Sequence, residues 1–205
     1  MPKILASLFN YLTAIIVIIL TLPLQIIIFL LLLLELKEFP LFIQERGLTL
    51  TNGKFRIVKF KTISTVKAHT YQNRKEFLLP IEDKSVTTIA TKLRKSGLDE
   101  LPQLFQVLSG KMNIVGPRPL MISDLKFLKE KYPDDYKKRN SINLKPGITG
   151  LWQLYGNKSN GIEDLTKYDI MYFEKSSLKL DIALVARTVI YIFSAGKKSI
   201  NFNYD

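Results

Sequence analysis

The chain has 205 residues, no cysteine, a single histidine and 30 Lys+Arg against 18 Asp+Glu, a formal net charge of +12 at pH 7. Without cysteine there is no disulfide framework, thiol nucleophile, iron–sulfur cluster or Cys-based zinc site; with His69 alone a multi-histidine metal site is excluded, so acid–base chemistry must rest on carboxylates and lysines. Residues 1–40 hold only Lys3, Glu35, Lys37 and Glu38 as charged side chains, so the positive excess lies in residues 41–205, which suffice for one domain and point to an anionic partner.

From Leu8 to Leu34 there is no charged residue, and Asn10, Thr13, Thr21 and Gln25 are the conspicuous polar interruptions. As a helix this run measures about 40 Å at about 1.5 Å per residue, enough for a hydrocarbon core of about 30 Å. It is too long for a signal peptide and no small-x-small site follows it, so residues 1–40 read as a retained membrane element. Pro23, near the middle, removes a backbone hydrogen bond and crowds the preceding turn, which predicts a bend or break. The residues leave open a kinked spanning helix and a re-entrant hairpin.

After Pro40 the pattern becomes short and alternating. Leu48–Leu50 and Phe55–Phe60 flank Asn52-Gly53, predicting a β-hairpin. Between Arg46 and Lys75 there are eight bases and no acid, a solvated strand face or a surface for phosphate or anionic lipid; His69, within it, is read as structural. A connecting segment over 80–95 runs into a basic helix ending near Gly97. The next stretch, LDELPQLFQVLSG at 98–110, places Leu101, Leu104, Phe105 and Leu108 on one helical face. Pro102 belongs to a first turn, which puts Asp99 at or near the N-cap, Glu100 beside it at the positive helix end, and Gly110 at the close.

Downstream, Arg118 stands between two prolines, a rigid mounting for a guanidinium suited to phosphate. Lys126 to Arg139 is a charged, helical surface segment interrupted by Pro133, and LKPGITGLWQ forms a tight loop ahead of Trp152, the only tryptophan. Leu178 to Phe193 is an amphipathic helix, with Lys179, Asp181 and Arg187 off its apolar face, that belongs either to the core or to the membrane interface. The fold class is therefore α/β, mostly helical with a small β-hairpin. Adjacent carboxylates at a helix start are more often dipole complements than catalysts. With a membrane segment, an electropositive surface and a clamped arginine, Asp99 and Glu100 are also available for Mg²⁺ binding or nucleophilic attack. The residues alone reach phosphoryl chemistry at a membrane face, with a non-enzymatic scaffold binding anionic lipid or nucleic acid as the alternative; no nucleic-acid module is recognisable.

KFKTI at 59–63, LDELPQLFQVLSGKMNIVGPRPL at 98–120 and KPGITGLWQ at 145–153 resemble the successive motifs of the bacterial sugar transferases, the monotopic polyprenyl-phosphate hexose-1-phosphate transferases. The resemblance extends through YDIMYFEKSSLKLDI at 168–182. It implies transfer of a sugar-1-phosphate from a UDP-sugar to undecaprenyl phosphate, with release of UMP, as a first membrane step in building a capsule, exopolysaccharide, O-antigen or glycoprotein glycan. It also implies that Asp99 is the covalent nucleophile, that Glu100 and Asp99 serve Mg²⁺, and that Lys59, Lys61, Arg94 and Arg118 neutralise phosphate. Lys145, and more weakly Asp169, would shape the nucleotide-sugar side. By the same resemblance Pro23 marks the break of a re-entrant anchor with interfacial amphipathic helices nearby. The catalytic domain would face the cytoplasm on the bacterial inner membrane, in contact with phospholipid and with a homodimer left open. The sequence departs from the family pattern at Leu22, Gly97, Lys111 and the YGNK segment at 155–158.

Overall fold

The computed structural model describes residues 3–62, 88–157 and 160–194. His69, Lys67, Arg74, Lys75 and the first half of the expected connecting segment at 80–95 lie outside them, and its second half, from residue 88, is helix. The described residues are mostly helical with two small sheets.

Helix α1 runs from Lys3 to Leu36 with Pro23 inside it, so the expected break is not an interruption of the helix. Asn10, Thr21 and Gln25, polar interruptions of the apolar run, pair within the helix. Asn10 Nδ2 donates to Ala6 O at 2.7 Å, Thr21 Oγ1 to Val17 O at 2.6 Å and Gln25 Nε2 to Thr21 Oγ1 at 3.0 Å. Asn10, Ala14, Gln25, Ile28 and Leu32 recur at helical spacing and are buried against the rest of the chain, while seventeen large apolar or aromatic side chains between Ile4 and Leu34 stay exposed. That outward surface exceeds what a protein in water leaves uncovered, and the helix is long and apolar enough to cross a membrane.

A three-stranded antiparallel sheet follows, in the order β2-β1-β4, from β1 (Leu41–Gly47), β2 (Phe55–Phe60) and β4 (Leu120–Met121). Leu41 pairs with Phe60 and Arg46 with Phe55, while Arg46 also pairs with Met121 on the other side. The hairpin is present, but its first arm lies earlier than Leu48–Leu50. That segment is held elsewhere: Leu48 is buried and Leu50 N donates to Tyr136 Oη at 3.1 Å. Gly53, at φ 67, supplies the left-handed residue of the return.

Helix α2 (Thr88–Ser96) leads into a 3-10 helix (Leu98–Gln103) and α3 (Leu104–Leu108). Strand β3 (Asn113–Val115) then pairs in parallel with β5 (Gly147–Thr149), so part of the expected tight loop is a strand. Glycine permits this approach: a Cβ at Gly116 would lie 2.6 Å from Lys145 O. Between them stand α4 (Ile122–Lys131) and α5 (Pro133–Asn140), with Pro133 opening the second helix as expected of a residue that needs no N–H partner there. The chain closes with α6 (Leu151–Tyr155), α7 (Gly161–Lys175) and α8 (Leu178–Phe193), the last with the predicted bounds. Asp181 is not off the apolar face: it is 5% exposed and accepts from Tyr172 Oη at 2.7 Å, a partner that lets it sit inside.

Buried Leu104, Val107, Ile114, Leu151 and Leu184 form the main core, which takes in Ala14 of α1. A second core gathers Trp152, Leu125, Leu128 and Leu165. A third joins Ile28 and Leu32 of α1 to Phe60 of β2 and Leu93 of α2. Helix α1 and the rest of the described chain thus share two cores.

Candidate active site

The stretch from Leu98 to Gly110 is not one helix. Gly97, at φ 76, precedes a 3-10 turn that carries Asp99 and Glu100 at its start and tolerates Pro102, and the α-helical geometry begins only at Leu104. Gly97 suits that left-handed position. Phe105 is 49% exposed, outside the expected buried face, and Gln106 is buried instead. Its amide spans the free edge of β2, with Oε1 accepting from Val58 N at 3.1 Å and Nε2 donating to Arg56 O. That contact holds β2, and Lys59 on it, against the acidic turn.

Lys59 Nζ reaches Glu100 Oε1 at 2.5 Å, with both side chains largely buried. Burial alone would push the Glu100 carboxyl upward, but Lys59, then Arg118 and Arg46, outweigh it and hold Glu100 well below the ordinary carboxylate range. Asp99 behaves oppositely. It is 8% exposed, and its burial, reinforced by the neighbouring Glu100 charge, raises it to about 6 against the opposing pull of Lys59 and Arg94. Two adjacent carboxylates are thereby pushed apart, a separation characteristic of sites that assign different tasks to like groups.

Arg118 projects between Pro117 and Pro119, its guanidinium carbon 5.2 Å from the Trp152 ring centre. Its buried Nε has no hydrogen-bond partner among the described residues. Arg46 is a site residue that the sequence reading missed. Its Nε donates to Gln44 Oε1 at 3.1 Å and its Nη1 to Pro119 O at 3.4 Å. Burial, then the like charge of Arg118, lowers Arg46 to about 10, while Glu100 and Asp99 favour its charge. The signal was present only as one base among eight, with nothing in the spacing to choose it.

The other expected residues are distributed differently. Arg94, in the last turn of α2, acts electrostatically on Asp99. Lys61 Nζ pairs with Glu38 Oε2 at 2.5 Å. Lys145 is exposed beside Gly110, where an added Cβ would lie 3.7 Å from its Nζ and 3.4 Å from Tyr11 Oη, at the far end of the segment that begins with Asp99. Asp169 does not face open space: it is 2% exposed, paired with fully buried Arg139, and accepts from Arg118 N at 3.3 Å. Pro23 lies on the exposed side of α1.

The site thus places two adjacent carboxyl groups with opposite shifts among four cationic side chains, a setting for a phosphate-rich substrate. Mg²⁺ commonly takes one or two carboxylates and completes its shell with water and substrate phosphate, so Asp99 and Glu100 are an adequate donor set. Among the described residues no third His, Cys, Asp or Glu joins them.

Comparison with known proteins gives the same direction. Galactosyl transferase CpsE of Streptococcus agalactiae serotype III is 32% identical over 160 residues, covering 72% of this chain and 34% of the relative. The UDP-glucose:undecaprenyl-phosphate glucose-1-phosphate transferase of Xanthomonas campestris pv. campestris is 34% identical over 160 residues, 75% of this chain and 31% of the relative. The undecaprenyl-phosphate galactose phosphotransferase of Salmonella typhimurium is 40% identical over 114 residues, 56% of this chain and 22% of the relative. The chain spans about a third or less of the length of these curated relatives. The family described as bacterial sugar transferase matches residues 1–195, and the chain belongs to it.

Proposed function

We propose that this protein transfers a sugar-1-phosphate from a UDP-sugar to undecaprenyl phosphate through a phosphosugar intermediate on Asp99. The observation that carries the reading is the acidic pair at the start of one 3-10 turn, with Asp99 buried, Glu100 paired to Lys59 at 2.5 Å, and Arg94, Arg118 and Arg46 acting on the two carboxylates. The names of the Xanthomonas and Salmonella relatives supply the substrate classes.

In this mechanism an ionised Asp99 oxygen attacks the β-phosphorus, the new O–P bond forming as the bond to the bridging oxygen breaks and UMP departs with that electron pair. An oxygen of the lipid phosphate then attacks the same phosphorus, freeing the Asp99 carboxylate and leaving a lipid-diphosphate sugar. Lys59 and Arg118 neutralise charge on the transferring group, most effectively where water is excluded. Mg²⁺, held through Glu100 and Asp99, would add further neutralisation of the diphosphate when bound.

We place the active domain on the cytoplasmic face of the inner membrane, with both ends of α1 on that side. A single stripe from Asn10 to Leu32 is occupied by the rest of the chain, about 33 Å of helix at about 1.5 Å per residue. A helix held along that length by its own domain is poorly disposed to thread a bilayer, and Pro23 weakens it where a re-entrant bend would fall. The exposed apolar side of α1 then meets phospholipid.

The test is UMP release in nanodiscs containing undecaprenyl phosphate, over a panel of UDP-sugars with and without Mg²⁺. Activity with one sugar class that disappears in Asp99→Asn supports the reading; unchanged turnover in that variant removes the covalent step. Tags at Met1 and Asp205 should be shielded on one side of intact cells, and labelling on opposite sides would establish a spanning helix.

A further inference from the structure

The Pro117-Arg118-Pro119 segment has every backbone carbonyl occupied by a different part of the chain. Gly147 N donates to Pro117 O at 3.0 Å, Arg139 Nη2 to Arg118 O at 2.9 Å and Arg46 Nη1 to Pro119 O at 3.4 Å. Prolines carry no N–H, so Arg118 has the only amide proton of the three, and that proton goes to Asp169 Oδ1 at 3.3 Å. The backbone of Arg118 is therefore gripped at both its polar groups by one ion pair.

That pair is the most deeply buried charge in the described residues. Arg139 is fully buried and Asp169 is 2% exposed; Arg139 Nη1 meets Asp169 Oδ2, and Arg139 Nε donates to Leu48 O at 3.4 Å. Burying two charges costs desolvation that their attraction often fails to exceed, and apolar residues of similar volume commonly hold a core as well or better. What apolar residues cannot do is donate to Arg118 O while accepting from Arg118 N. The side chain mounted on this grip lies over the Trp152 ring and keeps a buried Nε without a hydrogen-bond partner among the described residues, so it retains a donor for a ligand oxygen.

We propose that Arg139 and Asp169 are positioning residues that preset the Arg118 guanidinium for the transferring phosphate. Neither touches substrate; both act through the Arg118 backbone. A shift of about 1 Å in a charge-stabilising group can cost about a hundredfold in rate, which sets the scale of the expected effect. The proposal rests on the transferase reading of Arg118 for its kinetic consequence, but its geometric content is independent of it. Trp152 is the only tryptophan, so its emission reports the Arg118–Trp152 contact whether or not the chain turns over.

The decisive variant replaces both charges at once, Arg139→Met with Asp169→Leu, leaving no uncompensated buried charge. Its thermal midpoint should lie above that of either single change, because no unpaired charge remains and only the partners of Arg118 N, Arg118 O and Leu48 O are lost, while kcat for UMP release falls at least about tenfold, and the same change in an Arg118→Ala background should cost less than about twofold. Trp152 emission should move toward that of Arg118→Ala, and the two changes together should give no additional shift. Arg139→Lys, which keeps the ion pair but loses the donor to Arg118 O, provides the second reading should the double variant fail to fold, with the same non-additivity expected. Wild-type turnover in a folded variant, or emission shifts that add in full to those of Arg118→Ala, would overturn the proposal. If the wild-type chain releases no UMP under any condition, the transferase reading fails, and the emission cycle still decides the positioning role.

Discussion

Lys59 Nζ and Glu100 Oε1 lie 2.5 Å apart, on a strand and a 3-10 turn 41 residues distant in sequence. The lysine also stands second among the influences on Asp99. One ammonium therefore acts on both carboxylates, and its removal should be felt at both.

Lys59→Met is expected to lower UMP release at least about tenfold at neutral pH and to move the acidic limb of the rate profile upward, because losing a nearby cation disfavours the ionised form of Asp99. In the parent chain that limb should fall near pH 6, with activity rising as Asp99 ionises. Rate measurements from pH 5 to 9 in lipid nanodiscs, with both substrates saturating, check the two profiles together. An unmoved limb in Lys59→Met would separate the lysine from the nucleophile.

Asp99→Asn should abolish turnover and raise stability. Burial lifts this carboxyl from 3.8 to about 6, so its favourable contribution is present when it is protonated and is lost as pH rises toward and through the folded value. At neutral pH the ionised side chain costs at most about 3 kcal/mol, and coupling to Glu100 puts the practical gain from asparagine at about 1–2 kcal/mol. Thermal unfolding of the two proteins at pH 7.5 and pH 5 should show the gap narrowing in acid.

Arg46→Ala should weaken activity about tenfold to a hundredfold, despite lying outside the motifs that carry the family resemblance. It removes a cation acting on Glu100 and the donor to Pro119 O at 3.4 Å. Arg46→Lys keeps the charge but not the planar fork, so only partial recovery is expected. Steady-state UMP release for the two variants distinguishes charge from hydrogen-bond geometry.

Asn10→Leu makes the apolar run more hydrophobic and should nevertheless destabilise the protein. Asn10 Oδ1 accepts from Ile114 N at 2.6 Å in a buried setting, and leucine would leave that amide unpaired at a cost of about 1–3 kcal/mol. A lower unfolding midpoint in detergent, alongside unchanged membrane fractionation, is the expected pair of results.

The parts of the fold legible in the sequence were those set by local rules. Helix α8 follows from its apolar periodicity, the start of α5 from Pro133 and the end of α2 from Gly97. The parts that were not legible depend on distant partners. Leu48–Leu50 looked like a strand, but Tyr136 claims its backbone; Asp181 looked exposed, but Tyr172 gives it a buried acceptor's role. At the site, the motifs singled out Asp99, Glu100 and Arg118, and the structure brings Lys59 and Arg94 into their field. Arg46 and Arg139 escaped because a basic side chain carries no local mark of whether it will face water or a buried carboxylate. Asp169 was chosen for substrate contact, and only the tertiary pairing with Arg139 reveals its attachment to the Arg118 backbone.

The stripe of α1 that faces inward has a practical meaning for handling this protein. Cutting the chain after Leu36 to obtain a water-soluble enzyme would uncover Phe60 and Leu93, strip Ala14 from the main core and orphan the Ile114 amide. The truncated product would lack one wall of two cores, be prone to aggregate and report poorly on the intact chain. Biochemistry on this chain therefore calls for a lipid mimic from the first purification step, and a soluble variant is better sought by recolouring the outward side of α1 with polar residues while leaving Asn10, Ala14, Gln25, Ile28 and Leu32 untouched.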